Sequence, residues 1–281
     1  MKRLALVLAI AAAGVTVLVS GWQLNRWRES EEEKRLRQIH TLTGTVKQFP
    51  DFRSEVLGVE RGVQVYLPPM YDAEPERRFP VLYMLDGQNV FDGATAFLAG
   101  REWEADETAE RLTEEGRIEP LIIVAVNNGG AKRADEYTAT RVGNGGGEVD
   151  RFARMLVEEL KPWVDETFRT RSGREDTGIA GSSYGALGSL WIGLTHSDVF
   201  GKVAALSTSA GRDEQQIVGF VESLPERPDT RVWTDMGTDE YRGAVDDARA
   251  LRDALVAKGW TEARDLRHFE AEGATHNEPA W

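Results

Sequence analysis

The chain has 281 residues, 41% of them hydrophobic, which is enough for one large core and typical of an undivided α/β domain. A formal charge of −13, with no basic cluster to interrupt it, argues against nucleic acid as a partner. The absence of cysteine rules out a disulfide framework, a thiol nucleophile and thiolate metal sites.

Lys2 and Arg3 precede an apolar run over 4–19, the layout of a signal peptide. Continued to about Leu24, with Trp22 and Trp27 suited to a membrane interface, the run is just long enough to cross a bilayer. Residues 1–24 are therefore expected to be an export signal or a membrane anchor. The rest then lies outside the cytoplasm, periplasmic or secreted. Residues 25–40 read as a charged linker, with 29–38 suited to a solvated helix, and 41–281 as one domain.

From residue 41 strands and helices alternate. Strands are expected over 41–49 and 56–67, followed by a polar loop over 71–80. Val81–Leu85 is a continuous apolar run, as in a strand covered on both faces, and stops at Asp86-Gly87-Gln88-Asn89. A helix suits 104–115 and a buried strand 121–126, halted by Asn127-Asn128-Gly129-Gly130. Residues 129–147, rich in glycine and charge, read as a loop. Val149, Phe152, Leu156, Leu160, Trp163 and Val164 then recur at spacings of three and four, which predicts a helix. A central strand follows over 176–182, then a helix carrying Ala186, Leu187, Leu190, Trp191 and Leu194. Further strands are expected over 203–206, 232–236 and 266–269, and helices over 215–224 and Ala244–Lys258, the latter capped by Gly259. Such repetition predicts an α/β fold, a mostly parallel central sheet with helices on both faces.

The chemistry concentrates at Gly181-Ser182-Ser183-Tyr184-Gly185, a G-x-S-x-G sequence between a strand and a helix. In that context the serine sits on a sharp, strained turn at the carboxyl edge of the sheet, and the flanking glycines let strand and helix approach. A serine hydroxyl needs a base beside it. On α/β-hydrolase sheets the partners follow in the order serine, acid, histidine. Of the four histidines, His40 lies before the domain, His196 precedes any candidate acid, and His268 falls inside a strand. His276, in the loop beyond the last strand, has the right order and setting. The acid should come from Gly237-Thr238-Asp239-Glu240, where Asp239 and Glu240 are both candidates. Backbone N–H groups of Tyr184 and Gln88 are the expected oxyanion donors. Asp86-Gly87 reads as turn chemistry rather than a metal loop.

These stretches resemble the Putative esterase family of the α/β-hydrolase superfamily, which includes enterochelin esterases, feruloyl esterases, S-formylglutathione hydrolases and mycolyltransferases. The likeness rests on 65–71 (VYLPPMY), 81–92 (VLYMLDGQNVFD), 135–138, 158–162, 179–185, 197–201 and 273–281 (GATHNEPAW). It implies an α/β-hydrolase fold and hydrolysis of a small-molecule ester without metal or organic cofactor, with Ser183 as nucleophile and His276 as base. The family's G-T-x-E pattern falls on Glu240, and Asn128, Arg133 and Tyr137 match a segment beside the substrate. Here Ala186 replaces an expected glycine, and relatives continue past the position of Trp281 into a further helix, which bears on the packing around His276. Two other readings compete with hydrolysis: transfer of the acyl group to a sugar or lipid hydroxyl, and a non-catalytic binding protein on the same scaffold.

Overall fold

The computed structural model describes residues 30–143 and 145–281; the export or anchor segment expected over 1–24 lies outside the described residues. No helix among the described residues is long and apolar enough to cross a membrane. The first described element is a short exposed helix, α1 (Glu31–Leu36), within the charged run. Ser30 caps it, accepting from Glu33 N–H while the Glu33 carboxylate accepts from Ser30 N–H.

Among the described residues, eight strands form one sheet in the order β1-β2-β4-β3-β5-β6-β7-β8. They are β1 (Thr45–Ser54), β2 (Val59–Leu67), β3 (Val81–Leu85), β4 (Ile122–Val126), β5 (Thr177–Ser182), β6 (Lys202–Leu206), β7 (Arg231–Gly237) and β8 (Leu266–Ala271). From β4 through β8 all neighbours are parallel, and β1 and β2 are antiparallel. The α/β fold is the one expected. Period-two alternation divides the apolar strands between two cores. Val81, Tyr83 and Leu85 of β3, with Ile122, Val124 and Val126 of β4, face one core; Met84, Ile123 and Ala125 face the other.

Three local readings differ from the structure. The first strand begins at Thr45 rather than at 41 and continues to Ser54, through a bulge between Phe49 and Phe52. Pro50 is tolerated there because β1 is an edge strand. The loop over 129–147 contains a helix, α3 (Arg133–Tyr137), beyond α2 (Ala105–Glu114). Its polar sequence concealed two buried anchors: the Glu136 carboxylate, 2.5 Å from Arg61 of β2, and the Tyr137 ring, which is fully buried. The long helix is interrupted. It runs as α4 (Val149–Arg154), a π-helical stretch (Met155–Leu160) and α5 (Lys161–Thr167). Pro162 has no N–H to close a turn onto the carbonyl four residues back, and the widened stretch just before it accommodates the ring. The remaining helices are α6 (Tyr184–Thr195), α7 (Gln216–Ser223) and α8 (Ala244–Lys258).

Candidate active site

The site lies at the carboxyl ends of β3, β5, β6 and β7. Ser183 stands between β5 and α6 with φ 57° and ψ −119°. A residue with a side chain held there stores about 1–3 kcal/mol, so its surroundings must enforce the turn. They do so by close packing: a Cβ on Gly181 would lie 2.6 Å from the Gly185 carbonyl group, and one on Gly185 would lie 3.0 Å from an Asp86 oxygen. The Ser183 N–H donates to Leu206 O at 3.0 Å, tying the turn to the end of β6.

Three side chains converge from separate loops. His276 Nε2 lies 3.1 Å from Ser183 Oγ, and Nδ1 lies 2.7 Å from Glu240 Oε2. The Glu240 side chain is 1% exposed, that of His276 36%. Asp239, the other candidate acid, is exposed and meets the His276 loop through its backbone N–H, which donates to Ala274 O. Burial raises the Glu240 carboxyl, but hydrogen bonds from His276, Ser207 and the Gly237 N–H outweigh it and hold the group below the usual range. Gly237 has a steric role too, since a Cβ there would meet Ala274 O at 2.3 Å and push the His276 loop away. Trp281 packs edge-on to His276, with ring centroids 5.0 Å apart, and also meets Trp103. His268 bonds Thr234 within the sheet, and His40 pairs with Asp92 away from the site.

A second cluster surrounds Asp86, which adopts a left-handed conformation at the end of β3 (φ 58°) and is buried. Arg133 grips it from two nitrogens, Nε to Oδ1 and Nη2 to Oδ2, each at 2.7 Å. Asn128 Nδ2 adds a bond of 2.6 Å, and the Asp86 N–H donates to the Tyr137 hydroxyl at 3.0 Å. Burial opposes the charge on Arg133, yet Asp86 outweighs it and raises the guanidinium above its usual value. Asn128 and Arg133 line the cleft, whereas Tyr137 is buried beneath it and reaches it through Asp86. The dipeptide read as turn chemistry is thus also an ion-pair anchor. A Cβ at Gly87 would lie within 2.6–2.7 Å of β4 backbone atoms, so only glycine fits there. Gln88 follows in a one-turn helix over Gly87–Asn89, and Tyr184 opens α6. First-turn N–H groups have no partner within their own helix.

Ser183 and His276 open onto a cleft of ≈ 350 Å³ whose walls include Gln88, Asn128 and Arg133 and, on the apolar side, Phe97, Leu98 and Trp281. Such a volume suits a small ligand. Phe97 is 75% exposed. The loop carrying it is pinned by Asn89, whose amide oxygen accepts from Phe97 N–H and whose nitrogen donates to Glu278. Sequence reasoning missed Ser207, Phe97, Leu98 and Glu278. For Ser207 one signal existed: it directly follows a strand of the sheet whose neighbours carry Ser183 and the acid.

The fold is that of an α/β-hydrolase. The chain belongs to the Putative esterase family, whose model matches residues 54–281, and is a carboxylic ester hydrolase. It is similar to the uncharacterized protein YbbA of Bacillus subtilis, 24% identical over 239 residues, covering 80% of this chain and 89% of the relative. It is also similar to an endo-1,4-beta-xylanase/feruloyl esterase of Xylanibacter ruminicola, 27% identical over 167 residues. That match covers 58% of this chain but only 22% of the larger protein. Among solved structures, the enterobactin esterase FES from Shigella flexneri superposes with a TM-score of 0.64 at 19% identity, covering 84% of this chain and 56% of that one. At that identity the likeness speaks for the fold.

Proposed function

We propose that the chain hydrolyses neutral carboxylic esters through an acyl-enzyme on Ser183, and that the export or anchor segment puts this activity outside the cytoplasm. The observation that carries the reading is the unbroken contact from Ser183 through His276 to buried Glu240, at the mouth of the cleft. Ser183 Oγ attacks the ester carbonyl as His276 Nε2 takes its proton. Glu240 stabilises the resulting imidazolium. The Tyr184 and Gln88 N–H groups hold the oxyanion, and their positions at helix starts support that role. The imidazolium returns its proton to the departing alcohol. Water, deprotonated by His276, then attacks the acyl-enzyme and releases the acid and Ser183.

The preference for a neutral ester comes from the charges lining the cleft. Asp86 uses two nitrogens of Arg133, and Glu278 adds a negative charge, so no net positive field favours a polyanion. Phe97, Leu98 and Trp281 offer an apolar wall for an aryl or alkyl group. Turnover of p-nitrophenyl butyrate tests the reading: Ser183→Ala should lower kcat by about 10⁴–10⁶-fold. Unchanged turnover in that variant would remove the hypothesis.

A further inference from the structure

We infer that Ser207 is a positioning residue for this chemistry, its hydroxyl fixing both the Glu240 carboxylate and the tautomer of His276; the inference rests on the esterase reading above. Ser207 is fully buried at the end of β6 and has a φ of 46°, which a residue with a side chain rarely adopts. Its backbone is held from behind. The N–H donates to Asp235 Oδ1 at 2.8 Å, and the other Asp235 oxygen accepts from Trp233 Nε1 at 2.8 Å. In that pose Ser207 Oγ lies 2.7 Å from Glu240 Oε1, 2.7 Å from Glu240 Oε2 and 2.7 Å from His276 Nδ1.

For a neutral imidazole, only one distribution of protons satisfies all of these contacts. An ionised carboxylate can only accept, so the single Ser207 hydrogen points to Glu240. The hydroxyl then turns a lone pair toward Nδ1, which faces two acceptors, Ser207 Oγ and Glu240 Oε2. Nδ1 must therefore carry the imidazole hydrogen. Nε2 is left with its lone pair 3.1 Å from Ser183 Oγ, the state required of a base. After proton transfer the Nδ1–H stays in place between the same two oxygens, so the imidazolium forms without rearrangement. The strained backbone at Ser207 has this arrangement as its consequence.

Ser207→Ala and Ser207→Gly test the inference together, because glycine tolerates the positive φ while also removing the hydroxyl. The charged and titratable groups facing Ser207 are Glu240, His276 and Asp235. Both variants should lose about tenfold in kcat on p-nitrophenyl butyrate, the lower range for a hydrogen bond to a charged group, with KM within about twofold. The acidic limb of the kcat profile should also move, because the hydroxyl acts on the imidazolium twice, through its hydrogen on Glu240 and through its lone pair on Nδ1–H. A wild-type rate and limb in either variant overturns the inference. So does a glycine variant that recovers the rate lost by alanine, which would assign the effect to the backbone. Should the alanine variant not fold, the glycine variant carries the test. Turnover surviving Ser183→Ala sinks the reading of Ser183 as the acyl-enzyme nucleophile; turnover lost there but intact in the Ser207 variants sinks only the present inference.

Discussion

Two regions of the molecule bury carboxylates and treat them in opposite ways. Glu240, beside His276, receives hydrogen bonds from the Ser207 hydroxyl, a backbone N–H and an imidazole, and its carboxyl is held below the usual range. Asp106 of α2, beneath residues 41–43, is as deeply buried but accepts from Thr43 N–H through one oxygen, while the other finds no such N–H donor among the described residues. Burial first, and then neighbouring Glu107, push its carboxyl up to about 8. Depth alone therefore does not set the charge state of a buried acid. The supply of donors does. Where the proposed chemistry needs a standing negative charge, the fold provides them; beneath residues 41–43 it does not.

Among the buried carboxylates the largest effect is expected at Glu240. Glu240→Gln keeps the volume but loses the charge, and should lower kcat on p-nitrophenyl butyrate by about 10³–10⁴-fold with folding retained by circular dichroism. A loss of tenfold or less would mean the donors around Glu240 serve packing alone. Next is Asp86, where the main donors are those of a charged partner. Arg133→Met leaves that carboxylate buried without its ion pair and should cost about 3–5 kcal/mol. That would lower Tm by roughly 10 °C for a domain of this size. Adding Asp86→Asn should recover much of the loss in thermal melts; no recovery would show that the methionine itself disturbs the site.

The smallest effect tests the other side of the contrast. A carboxyl whose value rises on folding favours the folded state in its protonated form, so its contribution worsens between about pH 4 and 8 as the proton is lost. Asp106→Asn can still accept from Thr43 N–H and should raise Tm by a few degrees at pH 9, roughly 1 kcal/mol, with little change near pH 4. Glu240 has the opposite sign: its stabilisation is present above the ordinary glutamate value of about 4.3 and fades as the pH falls through its lower folded value. An Asp106→Asn gain at pH 4 equal to that at pH 9 would contradict the assigned shift.

Much of the architecture was legible because the strands β3 and β4 are apolar throughout and the helical stretch over 149–164 carries a clear apolar stripe. The turn at Gly181–Gly185 was legible for a steric reason, since its glycines are demanded by backbone contact. The residues by themselves left Asp239 and Glu240 open, as adjacent carboxylates on one turn differ only in where the turn points them; the family's G-T-x-E pattern favoured Glu240, and it is Glu240 that lies 2.7 Å from His276. The short helix Arg133–Tyr137 escaped because its stability comes from Arg61 and Asp86, which are distant in sequence. Ser207 escaped for a similar reason: a small polar residue after a strand has no periodic signature, and its partners lie 33 and 69 residues away.

Covalent labelling tests the central claim most directly. A fluorophosphonate is attacked at phosphorus by an activated serine oxygen and expels fluoride, so the adduct records which hydroxyl is nucleophilic in the folded protein. The account predicts a single phosphonylated peptide containing Ser183, loss of ester turnover in step with labelling, and no adduct in Ser183→Ala. Folded protein that turns over esters while Ser183 stays unlabelled, or with the label on another residue, would contradict it.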